Sequence, residues 1–209
     1  RTRPPFRADM VGSLLRTAPL KVARDRRAAG AISAAELTAI EDQEIKTIIA
    51  RQEAVGLRGI TDGEFRRAWW HYDFFWGLEG VAKVEVAQGI QFAGITTKAE
   101  APRVTGKLGF GLHPMLDHFR FLAANTARTA KMTIPGPSML HYRSGRSMID
   151  QAAYPDMDGF FADLGRTYRE AIKGFHDAGC RYLQIDDISF AYFGDPKQRE
   201  MLRARGDDP

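Results

Sequence analysis

Two stretches of this chain spell the same phrase: an amphipathic helix, a glycine, a short apolar run, then an acid. In the first, Ser33-Ala34-Ala35-Glu36 is a capping box, whose hydroxyl and carboxylate satisfy backbone donors at a helix start. Leu37, Ile40, Ile45, Ile48 and Ile49 follow at helical spacing, and Gly56 stands where a left-handed residue ends a helix. Gly59-Ile60-Thr61-Asp62-Gly63-Glu64 then reads as a brief buried strand entering an acidic loop. In the second stretch, Phe160, Phe161, Leu164, Tyr168, Ile172 and Phe175 share one helical face, and Gly179 ends it. Cys180 to Asp187 follow as an apolar strand closing on two carboxylates. This alternation predicts an α/β fold, with a parallel sheet and helices on its outside.

Further strands are expected between Ala8 and Val11, leading into Gly12-Ser13, and at Arg103-Val104-Thr105. Another is expected from Ala130 to Ile134, running into the turn-rich loop Pro135-Gly136-Pro137-Ser138. Val81 to Ala101 reads as an excursion with some strand character, carried by Val84, Val86, Ile90, Phe92 and Ile95. Lys197 to Arg205 reads as a helix, and Gly206-Asp207-Asp208-Pro209 as the cap of another. The strands number about five, whereas a closed (β/α)8 barrel needs eight and typically ~250 residues. Either the sheet is open and complete or a barrel stops early, and a barrel cut short is the expectation.

Composition narrows the function classes. With 44% hydrophobic residues and 27% charged, the chain has apolar material for a substantial core. The formal net charge of +4 is scattered, with no basic arm, so a nucleic-acid partner is unsupported. One cysteine, Cys180, excludes an internal disulfide and suits a reducing compartment. No run approaches the roughly 18 apolar residues of a membrane helix, and Arg1 to Phe6 lacks the apolar core of a signal peptide. A soluble cytoplasmic protein is expected.

Four polar groups fall at strand ends: Ser13, Asp62 with Glu64, Lys131 with Ser138, and Asp186 with Asp187. On parallel strands they would converge on one face, where carboxylates bind an amine, hold a metal or act as acid and base. Asp62 beside Gly63 equally suits a plain turn, and Asp186-Asp187 a helix cap. The aromatic run Phe65, Trp69, Trp70, Tyr72, Phe74, Phe75 and Trp76 suits core or lid packing, or a wall for a flat heterocycle. The five histidines show neither an H-E-x-x-H pattern nor paired spacing with cysteine, and Cys180 reads as a small buried thiol. Phosphate-loop and G-x-S-x-G motifs are absent from the sequence.

Four of these pieces occur together in order: Asp9-Met10-Val11-Gly12-Ser13, Thr61-Asp62-Gly63-Glu64-Phe65-Arg66-Arg67, Thr133-Ile134-Pro135-Gly136-Pro137-Ser138, and Leu183-Gln184-Ile185-Asp186-Asp187. Together they resemble the short, catalytic-domain-only branch of cobalamin-independent methionine synthase, across nearly the whole chain. The resemblance implies a TIM (β/α)8 barrel, with residues 1–209 a single domain holding about five βα units. It implies zinc-dependent methyl transfer from 5-methyltetrahydrofolate to the thiol of homocysteine, giving methionine. By motif position, Ser13, Glu64 and Asp186 would hold the amino-acid end of homocysteine, and Tyr142 would stand near the pterin. An α-ammonium wants carboxylates, and an α-carboxylate wants a hydroxyl and N–H groups. The family's zinc ligands, a His and Cys followed by a Glu and a second Cys, belong to later strands, so no catalytic or metal residue is assigned here. The chain alone is expected to be inactive. Asp187-Ile188 replaces the Glu-Pro that follows the aspartate in the long enzymes, as is usual for the short branch, whose donor and acceptor are less firmly implied.

Three alternatives stand beside this reading. A related barrel enzyme could alkylate another thiol. A metal-free decarboxylase of the uroporphyrinogen type would need grouped arginines near the amino end, where Arg3, Arg7 and Arg16 are available. A non-catalytic half-barrel would bind ligands and dimerise to cover its sheet edges.

Overall fold

The computed structural model describes residues 2–87 and 97–207. The Ser33 capping box forms as its spacing predicts. Glu36 N donates to Ser33 Oγ (3.1 Å), and Ser33 N donates to the Glu36 carboxylate (2.8 Å). This box opens α2 (Ala34–Ala54), which follows α1 (Ala18–Ala28). The sequence reading did not mark α1, although Thr17 caps it and a proline sits in its first turn. Gly56 takes the left-handed conformation just past α2, at φ 88°.

The chain packs as two compact units. The first comprises Arg1–Trp70, Pro114–Thr133 and Gly174–Gln184, and the second His71–His113, Ile134–Lys173 and Ile185–Pro209. In the first unit, Leu20, Ile45, Ile49, Ile60, Phe65 and Leu122 form a buried cluster. Leu20 comes from α1, Ile45 and Ile49 from the apolar stripe of α2, and Leu122 from α4 (Pro114–Ala124). Strand β1 (Gly59–Ile60) pairs in parallel with β4 (Thr129–Ala130), Gly59 opposite Thr129. That parallel pair with flanking helices is the α/β arrangement the alternation predicts.

In the second unit, the short helix α3 (Tyr72–Trp76) is followed by β2 (Glu79–Glu85) and β3 (Glu100–Gly109). Strand β5 (Met132–Pro135) pairs with β6 (Leu183–Asp186), and the long helix α5 (Met157–Asp177) lies between them in sequence; each of these three elements has residues in both units. Helices α6 (Ser189–Phe193) and α7 (Pro196–Ala204) follow, the latter capped by Asp195. Among the described residues no helix is long and apolar enough to cross a membrane.

Several expectations are corrected. Residues 8–11 form no strand; Lys131 and Thr133 side chains bond to the carbonyls of Met10 and Val11, taking the acceptors a ladder would use. Arg103-Val104-Thr105 is a strand, but β3 pairs antiparallel with β2, Val104 opposite Val81, and so is not one of a parallel series. The stretch from Ala130 to Ile134 is broken at Lys131 into β4 and β5. On α5, Phe160, Leu164, Tyr168 and Phe175 are buried, but Phe161 and Ile172 are exposed, because they fall off the stripe that these four define. Val84 lies in β2, whereas Ile90, Phe92 and Ile95 fall outside the described residues, as do Asp208 and Pro209 of the expected last cap.

Candidate functional site

In the first unit, the acidic loop after β1 is shaped by its own side chains. Thr61 Oγ1 donates to Gly12 O (2.8 Å) and accepts from Gly63 N (3.2 Å). Asp62 Oδ1 accepts from Glu64 N (2.8 Å), the local bond that makes aspartate a turn former. Gly63 (φ 66°) and Glu64 (φ 58°) both adopt the left-handed conformation. A glutamate held there costs about 1 kcal/mol or more, so its surroundings must fix it.

They do so from three sides. Leu14 N donates to Gly63 O (3.1 Å), tying the residue after Ser13 to the loop. Gly12 approaches so closely that a Cβ there would stand 2.8 Å from Glu64 Oε1 and 2.9 Å from Thr133 Oγ1. Arg67, which is 2% exposed, donates from Nη1 to Glu64 Oε1 (3.3 Å). The structure thus brings the Gly12-Ser13 turn to buried Glu64, while Ser13 itself is exposed.

A second charged cluster lies in the same unit. Lys131 is 1% exposed; its Nζ meets Asp9 Oδ2 (3.1 Å) and bonds to Met10 O. The Tyr182 hydroxyl also donates to Asp9, and Lys131 Nζ lies 4.9 Å from the Tyr182 ring centroid. Burial pushes the Asp9 carboxyl up, but bonds from Tyr182, Met10 N and Lys131 outweigh it and hold the carboxyl below its ordinary value. Burial and the bond to Asp9 push the Tyr182 hydroxyl up to about 12.

In the second unit, Asp186 ends β6 and its carbonyl accepts from Gly136 N (2.7 Å). Its neighbour Asp187 is engaged through its carboxylate. Ser138 Oγ donates to Asp187 Oδ2 (2.7 Å), Ser189 N donates to Oδ1 (2.8 Å), and the two serine hydroxyls lie 2.6 Å apart. Burial raises the Asp187 carboxyl, yet the Ser189 and Ser138 bonds bring it below its usual range. A Cβ on Gly136 would collide with this carboxylate, so glycine is needed there for the close approach. Asp187 thus closes a local turn onto Ser189 N ahead of α6, whose N-cap residue is Ile188 with no side-chain cap bond.

Tyr142 continues the same loop, its N donating to Ser138 O (2.9 Å). The ring is buried and stacked on Tyr192, centroids 5.2 Å apart and 13° between planes. Beside it is a cavity of about 410 Å³ walled by His141, Tyr142, Met157, Phe161, Phe193 and Leu202. Arg146 and Arg205 also line it, but each donates to backbone carbonyls: Arg146 to Ile149 O (3.1 Å), Arg205 to Tyr142 O (2.6 Å).

The aromatic run after Glu64 is mostly core: Phe65, Tyr72, Phe74 and Phe75 are buried. Cys180 is buried, which pushes its thiol up and away from the reactive thiolate. Among the described residues no three His, Cys, Asp or Glu side chains lie together as a metal site. Sequence reasoning missed Arg67, which follows Glu64 by three residues in a turn segment where no helical spacing marks the pair. It also missed Thr133 and Ser189, small hydroxyls that carry no pattern of their own.

Residues 6–204 match the family model described as the catalytic domain of cobalamin-independent synthase. The chain is 50% identical to the uncharacterized protein YxjH of Bacillus subtilis, over 98% of this chain and 54% of YxjH. It is 25% identical to a 5-methyltetrahydropteroyltriglutamate–homocysteine methyltransferase of Thermosynechococcus vestitus, over 89% of this chain and 24% of that protein. A solved structure from Listeria monocytogenes, assigned as a vitamin-B12-independent methionine synthase, superposes with a TM-score of 0.76 at 44% identity. It covers 90% of this chain and 54% of that one. The chain thus spans about half the length of its more similar relatives. On the family match and these likenesses, the chain belongs to the cobalamin-independent synthase family, within its catalytic domain.

Proposed function

We propose that this chain supplies the amino-acid grip of a methyltransferase that carries a methyl group from 5-methyltetrahydrofolate to the sulfur of homocysteine. One observation carries the reading: the buried Glu64 carboxylate, held in a left-handed turn against Gly12, next to the exposed Ser13. A fixed carboxylate is the natural partner of an α-ammonium, and a hydroxyl with turn N–H groups is the partner of an α-carboxylate. Glu64 and Ser13 take these roles, with Asp186 as a second carboxylate and Tyr142 toward the pterin. Fixing the amino acid lets its sulfur be presented in one orientation, which is where positioning lowers the barrier.

The architecture proposed is a single-domain TIM barrel of which this chain forms the front part, in line with the share of its relatives that it spans. Zinc would keep the homocysteine sulfur as a thiolate. The described residues do not furnish its donor set, since Cys180 is buried and no acid or histidine cluster accompanies it. No step is therefore derived through the metal. The decarboxylase reading loses ground, because Arg16 is already engaged by the carbonyls of Glu64 (3.3 Å) and Arg67 (2.7 Å).

The test is product analysis by mass spectrometry. The full-length protein, supplied with zinc, is incubated with 5-methyltetrahydrofolate and homocysteine, and separately with other thiols. Methionine formation that falls with Glu64→Gln is the expected result. Transfer to a different thiol alone, with homocysteine ignored, would overturn the acceptor proposed here.

A further inference from the structure

We infer that Arg67 is the positioning residue for Glu64, and that its guanidinium sets the affinity of the site for an α-amino acid. This rests on the reading that Glu64 receives the ammonium group. Arg67 is almost wholly buried, and its donors are spread over three partners. Nη1 bonds to Glu64 Oε1 (3.3 Å) and Trp70 O (3.1 Å), and Nη2 to Thr133 O (2.6 Å). Nη2 also lies 3.3 Å from the Met132 sulfur. Two backbone carbonyls thus fix the plane of the guanidinium before it meets the carboxylate. A planar fork can do this; the point charge of lysine cannot satisfy the same directions at once.

The backbone of the turn is clamped as well. Arg16 Nη2 donates to Glu64 O (3.3 Å) and Arg67 O (2.7 Å), while Arg24 donates to Arg67 O (2.8 Å) and to Phe65 O. The carbonyls of residues 64, 65 and 67 are therefore held from outside by two arginines. The side chain of Arg67 reaches from this turn to the Glu64 carboxylate, Nη1 to Oε1 at 3.3 Å. A cation beside Glu64 opposes a second cation by Coulomb repulsion, so attraction alone would argue against an arginine here. Its contribution is geometric: it holds a carboxylate, on a strained turn, in one orientation for the ligand.

A purely structural buried ion pair would lower stability without selecting among ligands. The discriminating experiment measures L-homocysteine affinity by calorimetry on the full-length protein, for wild type, Glu64→Gln, Arg67→Lys and the double variant. The methyl-donor KM and the thermal midpoint are followed in parallel. Arg67→Gln serves as a second variant in case Arg67→Lys folds poorly. Glu64→Gln is expected to weaken homocysteine binding about 30-fold, and Arg67→Lys roughly tenfold. The donor KM stays within about twofold, and the double variant is no weaker than Glu64→Gln alone. If Glu64→Gln weakens binding but both Arg67 variants bind like wild type, or if the two losses multiply, the positioning role is overturned. If Glu64→Gln itself leaves binding unchanged, the reading of Glu64 as the ammonium partner fails, and the role of Arg67 falls with it.

Discussion

Gly12 and Glu64 stand so close that a single added methyl group on Gly12 would lie 2.8 Å from the Glu64 carboxylate oxygen Oε1. The same methyl would meet Thr133 Oγ1 at 2.9 Å. Neither neighbour is free to retreat, since Arg67 holds the carboxylate and Thr133 bonds to Val11 O. Gly12→Ala should therefore cost about 1–3 kcal/mol of stability, the usual range for overpacking. It should also weaken amino-acid binding, because the strain is relieved most directly by moving Glu64. Urea unfolding together with homocysteine titration checks both; an alanine variant as stable and as tight-binding as wild type would refute the close approach.

Lys131 is a buried cation whose partner Asp9 lies nearer the solvent, with the side chains 1% and 21% exposed. Losing one partner of a fully buried pair typically costs 3–5 kcal/mol, but Asp9 can be rehydrated and keeps Tyr182. Lys131→Met should therefore destabilise by about 2 kcal/mol. The Asp9 carboxyl is held below its ordinary value, so its contribution is complete above the unfolded carboxylate range and lost as pH falls through the folded value. Stability profiles below about pH 4 should be flatter in Lys131→Met than in wild type.

Burial, with Arg143 adding to the effect, pushes the His71 imidazole down to about 3. Between that value and the unfolded value near 6.5, the unfolded chain binds the proton and the folded chain does not. Stability should accordingly fall as pH drops through this window, by at most about 1.4 kcal/mol per pH unit from this group. His71→Gln should remove that slope and leave behaviour above pH 7 without a histidine contribution from this site. An NMR titration showing the His71 ring protonating near pH 6 would contradict the expectation.

Ser33→Ala deletes an exposed capping box and touches no part of the candidate site. A loss of about 1 kcal/mol is expected, which for a chain of this size is a fall of roughly 2–4 °C in the thermal midpoint. Ligand affinities should not change. A variant with an unaltered midpoint would mean that α2 gains nothing from its cap.

What could be read from the sequence follows the range of the interactions concerned. The Ser33 box and the end of α2 at Gly56 are set within a few residues, and spacing reveals them. Strand character at Arg103 to Thr105 was legible, but the antiparallel partner Val81 was not, since alternation names a strand without naming its neighbour. The segment from Ala8 to Val11 has strand-like residues and no strand, because side chains from 131 and 133 capture its carbonyls. Glu64 was legible as a candidate; Arg67 was not, because an Arg-Arg pair after an acid looks like solvated surface until its burial is known.

The way residues 9–14 are held also sets an order of events. Thr61 bonds to Gly12 across 49 positions, and Lys131 to Asp9 across 122. The motif at residues 9–14 is thus anchored by partners far along the chain, one at residue 61 and another at residue 131. Contacts of such separation close late, after local helices have formed. The Gly12-Ser13 turn should therefore be among the last parts to gain protection in pulsed hydrogen exchange during refolding, well after α2.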